Sequence, residues 1–126
     1  MNVYEACARK RLTEKYQAQL DNPSTRRVAI NRLEQIRRRQ ERIRSKYLKL
    51  KEANEIKGEL LNDEADQIAE DIEKGNVDRE YGEEKIGQID QKLAILEERW
   101  PYYLRECQES KAYITVCTEL INNYKE

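Results

Sequence analysis

The sequence predicts an all-α chain: a long antiparallel helical hairpin, coiled-coil-like, with an N-terminal helix packed as a third helix at its base. Three observations predict it. The 126 residues hold four Gly, two Pro and no Phe, and 39% are charged, a composition of long solvated helices rather than of a sheet. Apolar residues recur at alternating steps of three and four over long stretches. One short segment, "KGNVDREY" at 74–81, separates the two longest stretches and makes their helices antiparallel neighbours. The length suits a single helical domain over 1–126.

The first helix is expected over about 2–20, where Tyr4, Ala8, Leu12 and Tyr16 recur every four residues. "DNPST" at 21–25 ends it. Asn22 suits an N-cap, and Pro23 suits the first position of the next helix. That second helix is expected over 23–74, on a seam of Ala29, Leu33, Ile36, Gln40, Ile43, Tyr47 and Leu50. The seam turns polar at Asn54 and Lys57, Gly58 follows, and the pattern resumes displaced by one residue as Leu61, Ala65, Ile68 and Ile72. A break is therefore expected near 54–60. Gly75 suits the left-handed residue after a helix, and Asp78 suits the N-cap of the next.

The last helix, expected over 79–125, carries the strongest pattern. Ile86, Ile89, Leu93, Leu96, Trp100, Tyr103, Cys107, Ser110, Ile114, Cys117, Ile121 and Tyr124 keep the three–four step without a slip. Pro101 lies inside this run. Proline removes one backbone hydrogen bond and bends a helix, yet the phase is held across it. That favours a kinked, continuous helix over a break, which would produce a compact four-helix bundle. Trp100 and Tyr103 fall on the seam and are expected in the core. Tyr102 falls off it and is expected exposed, as a protein-contact residue.

The charges are unevenly placed. Residues 1–51 hold 15 Lys/Arg against 5 Asp/Glu, and residues 52–126 hold 9 against 20, in a chain of net charge −1. The densest stretch is "QIRRRQERIRSKYLKLK" at 35–51. Near the turn, an antiparallel hairpin register sets Asp71 opposite Lys85 and Glu64 opposite Lys92, which predicts two cross-helix ion pairs. At the other end only Glu106 complements a basic residue, Lys46. The chain does not neutralise its own basic half, and such asymmetry points to an interaction surface. The candidate binding residues are Arg32, Arg37, Arg38, Arg39, Arg42, Arg44, Lys46, Lys49, Lys51 and Tyr102. Arg dominates this set, and its guanidinium makes bidentate contacts to phosphate and carboxylate. Tyr47 is the one aromatic among them and serves the seam, so base stacking is not supported.

Several chemistries are disfavoured. The chain has no His, hence no imidazole base and no His-based triad. Its three Cys cannot complete an ordinary four-ligand structural zinc site without His. They fall at positions that look buried on helices, as small hydrophobes. There is no P-loop, dinucleotide fingerprint or EF-hand loop. No enzyme activity, cofactor or metal is expected. The longest apolar run, "YITVC" at 113–117, is far too short to span a bilayer. The start "MNVYEACARKR" lacks the apolar core of a secretory signal, so a cytoplasmic location is the expectation.

The functional expectation is a non-enzymatic helical binding protein whose Arg-rich face engages nucleic acid or an acidic nucleoprotein surface. One alternative is a protein-only inhibitor or adaptor, such as a phage or mobile-element protein that blocks a host defence complex, its acidic part imitating nucleic acid. Another is a self-assembling coiled coil. A thin two-helix arm leaves apolar surface uncovered, so a homodimer or a fold-back at Pro101 is also expected.

Overall fold

The structure, a computed structural model, describes residues 2–125. It contains three helices: α1 (Val3–Asp21), α2 (Arg26–Glu73) and α3 (Arg79–Tyr124). Asn2 caps α1, its Oδ1 accepting from the Glu5 amide at 2.8 Å. Asn22 serves both sides of the first turn. It ends α1, while its carbonyl accepts from the Arg26 amide at 2.9 Å and its Oδ1 from the Ser24 amide at 3.1 Å. α2 in turn caps α1: Arg26 Nε donates to the Leu20 carbonyl at 2.7 Å and Thr25 Oγ1 to that of Gln19 at 2.8 Å. These bonds satisfy carbonyls that a helix end otherwise leaves unpaired.

The packing divides into two compact units, one of residues up to Leu48 and from Leu104 onward, the other of Lys49–Tyr103. In the first, α1 packs as a third helix on antiparallel stretches of α2 and α3. Its core takes Ala8, Leu12, Tyr16 and Leu20 from α1, Ala29 and Leu33 from α2, and Val116, Cys117 and Ile121 among others from α3. The four α1 residues lie four apart on one face, as the sequence predicts. On α3 the buried set is wider than one seam, adding Ala112, Val116 and Leu120, because two helices cover it instead of one.

The second unit is the hairpin proper. Gly75, at φ +74°, ends α2. Its amide donates to the Ile72 carbonyl at 3.1 Å, and that of Asn76 donates to Asp71 at 2.9 Å, the paired bonds of a Schellman cap. Asp78 then caps α3 through its Oδ2, which accepts from the Tyr81 amide at 3.1 Å. Leu61, Ile89 and Leu96 are buried, with Ala65, Ile68 and Leu93 packed on them. Ile72 lies against Gly82, close enough that a β-carbon there would stand 2.5 Å from its Cδ1. The all-α hairpin with a third, N-terminal helix is therefore the fold.

Two details here depart from expectation, the break in α2 and the ion pairs near the turn, while the course of α3 agrees with it. α2 is unbroken through 54–60. Asn54 is buried, and its Nδ2 donates to the Leu96 carbonyl at 3.0 Å, so a cross-helix bond satisfies the polar seam residue and no unwinding is needed. α3 continues through Pro101, as the unbroken apolar phase predicts. The proline deprives the Glu97 carbonyl of its usual donor, one residue beyond the carbonyl that Asn54 reaches. The ion pairs Asp71–Lys85 and Glu64–Lys92 do not form among the described residues. Asp71 instead accepts from Gln67, Lys85 lies over the Tyr81 ring, and the pairs in this unit among the described residues are the local ones Lys51–Glu55, Lys74–Glu70 and Arg79–Glu83. Exposed pairs differ by only tenths of a kcal/mol, so local geometry decides between them.

Cys7 is exposed, where burial was expected; it sits one residue off the α1 core face. Cys107 and Cys117 are buried, and burial pushes the Cys117 thiol up to about 11. The fold thus favours the neutral thiol of Cys117. Its contribution to stability is full below the ordinary thiol range near 8.5 and is lost as the pH rises through about 11. A short alkylation pulse at about pH 8 is expected to label Cys7, with Cys107 and Cys117 reacting only on unfolding. Peptide mass spectrometry checks this, and equal labelling of all three would refute it.

Candidate nucleic-acid interface

The Arg-rich stretch lies on α2, and helical phase sorts its side chains. In the first unit Arg32, Arg38, Arg39, Arg42 and Lys46 are exposed, while Arg37 and Arg44 are half-buried. Arg37 turns toward α3, its Nη1 standing 3.5 Å from Thr118 Oγ1. Arg44 lies beside Ile114, and its Nε is buried without a hydrogen-bond partner. These two therefore belong to the helix–helix boundary rather than to an open surface. Lys46 lies over the Tyr47 ring, 5.4 Å from its centroid, and forms no ion pair with Glu106.

The five outward cations form no ion pair among the described residues. The carboxylates of this unit that do form pairs serve other cations: Glu119 takes Arg9, and Glu34 takes Lys125. Glu41 is the single acidic residue within 35–51. Arg32 and Arg39 frame a shallow groove floored by Tyr16, Gln35 and Ile36, so apolar carbon lies between two unpaired guanidinium groups. By count, the first unit holds 16 Lys/Arg against 9 Asp/Glu, and the second holds 8 against 16. Compared with protein-family models, curated proteins and solved structures, the chain matches none of them.

The remaining candidate residues lie in the second unit. Lys49 is exposed. Lys51 is half-buried and occupied, pairing with Glu55 at 3.1 Å and lying 6.0 Å from the Trp100 ring centroid. Tyr102 is exposed as expected, its ring 5.9 Å from that of Tyr103. Trp100, expected in the core, is 37% exposed. Its indole N–H needs an acceptor and donates to Glu55 Oε1 at 3.1 Å, which holds the ring at the edge of the hairpin. That bond, together with the one from Lys51, keeps the Glu55 carboxyl below its usual range.

A shallow cavity opens beside Trp100, lined by Asn54, Gly58, Leu93 and Leu96 with Glu55, Glu59 and Glu97 around it. Among the described residues no group of His, Cys, Asp and Glu is placed to hold a metal ion. No helix among them is long and apolar enough to cross a membrane. The inward turn of Arg37 and Arg44 is the point that sequence reading missed. The signal was present, since both lie within one or two residues of seam positions on the side that faces α3.

Proposed function

We propose that the chain is a non-enzymatic, cytoplasmic binding protein that engages nucleic acid, or an acidic nucleoprotein surface, through the outward face of the first half of α2. One observation carries this reading. Arg32, Arg38, Arg39, Arg42 and Lys46 are all exposed on the first half of α2, and none of them has an ion-pair partner among the described residues. Four of the five are arginines, whose planar donors match phosphate oxygens and whose charge survives partial desolvation. No exposed aromatic accompanies them, so the recognition is of the backbone and is weakly dependent on sequence.

Such binding releases counterions, and its affinity falls steeply with salt. The test is the variant Arg32→Glu, Arg38→Glu, Arg42→Glu, whose positions lie outside the core, read by the anisotropy of a labelled oligonucleotide. Binding is expected to weaken at least about tenfold, since three reversals at roughly 0.5 kcal/mol each exceed the 1.4 kcal/mol of one decade, while helicity stays unchanged. Unchanged affinity would reduce these arginines to a solvated face.

A protein-only inhibitor or adaptor is the second reading, favoured by the second unit. There Ile95, Trp100 and Tyr102 are exposed amid an excess of carboxylates, a mixture found at protein interfaces. Capture of partners from cells with and without nuclease separates the two readings. Partners lost with nuclease support the first, and partners retained support the second.

A further inference from the structure

In the second unit, α2 leaves two large apolar side chains in solvent. Ile56 is 58% exposed and Leu60 is 64% exposed, and neither belongs to a core. They lie four residues apart, so they share one face of the helix. Leu61, the next residue, is buried with Ile89 and Leu96, so the core of this unit takes a different face. Five charged residues lie three or four positions from Ile56 or Leu60 and border the same face. Glu52, Glu59, Asp63 and Glu64 are acidic and Lys57 is basic, and all five are exposed. None of them forms an ion pair among the described residues. An uncovered apolar pair thus sits inside an acidic border.

We propose that this face docks a basic amphipathic helix of a protein partner. Apolar residues of that helix, one turn apart, cover Ile56 and Leu60, and Lys or Arg on its flanks meet the carboxylates. In helix pairs of this kind the charges beside the apolar stripe set the choice of partner. Charge complementarity selects the occupant. A nucleic acid or an anionic lipid surface is repelled by the carboxylates. The same face of a second copy would set carboxylate against carboxylate. The chain's own arginine-rich stretch does not fit, because its exposed residues over 32–46 are all polar or charged and leave the apolar pair uncovered. A basic helix with an apolar stripe answers both parts of the face. The docking does not rest on the nucleic-acid reading, which concerns the first unit.

The test uses the full chain and a labelled synthetic helical peptide whose leucines, at heptad spacing, are flanked by lysines, with binding read by fluorescence anisotropy. One control peptide has glutamate for every lysine, and the other has glutamine for every leucine. The wild type is expected to bind the Leu/Lys peptide at least about tenfold tighter than either control, since covering two large apolar side chains is worth more than one decade. Ile56→Gln with Leu60→Gln is expected to weaken that binding at least about tenfold, with helicity and oligonucleotide affinity unchanged. Glu52→Lys with Glu59→Lys and Asp63→Lys is expected to reverse the preference, so that the Leu/Glu peptide binds better than the Leu/Lys peptide. Ile95→Gln, at an exposed position of α3, is expected to leave the affinity as it was. A wild type that does not distinguish the three peptides would overturn the proposal. So would full affinity in the Ile56→Gln, Leu60→Gln variant, an equal loss from Ile95→Gln, or a charge-reversed variant that still prefers lysine.

Discussion

Leu33→Ala is expected to cost about 3 kcal/mol, the middle of the range for truncating a fully buried leucine. Leu33 has no exposed surface and sits where α1, α2 and α3 meet in the first unit. Three helices fix the walls of the space it leaves, so the cavity collapses poorly and the loss is larger than the transferred methyl groups alone. The contrast is Ile95→Ala in the second unit. Ile95 is 48% exposed on the outer side of α3, and alanine is the better helix former, so the change is expected to stay under about 1 kcal/mol. Urea denaturation followed by circular dichroism reads both. Similar costs at the two positions would mean that the first-unit core is not where the stability lies.

The same contrast marks what periodicity can tell. Leu33 lies on the predicted seam and is buried, and Ile95 lies off it and is exposed. The turn was legible because Gly75 and Asp78 are each demanded by backbone chemistry, a left-handed residue and a side-chain acceptor. Continuity through Pro101 was legible because the apolar phase holds on both sides of it. Asn54 misled because its partner is a backbone carbonyl, that of Leu96, and no side-chain pattern announces a carbonyl. Trp100 misled for a related reason: the seam accounts for its ring but not for its N–H, which finds Glu55.

The candidate interface was legible only in part. The charge excess at 35–51 is plain from composition, and four of its residues, Arg38, Arg39, Arg42 and Lys46, do face outward in the first unit together with Arg32. Arg37 and Arg44 face inward, because a step of three to four residues leaves positions beside the seam half in the boundary and half out of it.

Gly82→Leu is expected to destabilise the second unit by about 2 kcal/mol, although glycine inside a helix is ordinarily improved by substitution. A β-carbon at this position would stand 2.5 Å from Ile72 Cδ1 and 2.7 Å from Ile72 Cγ1, with Ile68 Cγ2 at 3.4 Å. Rotation about χ2 of Ile72 moves Cδ1 aside but leaves Cγ1 in place. Rotation about χ1 is resisted, since a β-branched residue in a helix holds one rotamer. The helices must therefore separate next to the turn, and overpacking of this kind costs about 1–3 kcal/mol. The penalty falls on a unit whose buried apolar core is small: Leu61, Ile89 and Leu96. Trp100, the one tryptophan of the chain, lies in the same unit and reports its unfolding by fluorescence. Ile72→Ala removes both clashing atoms, so in that background Gly82→Leu is expected to cost under about 0.5 kcal/mol, a coupling of about 1.5 kcal/mol between neighbours in contact. An equal cost of Gly82→Leu with and without Ile72 would show that the two residues do not meet and that the hairpin closes in another register.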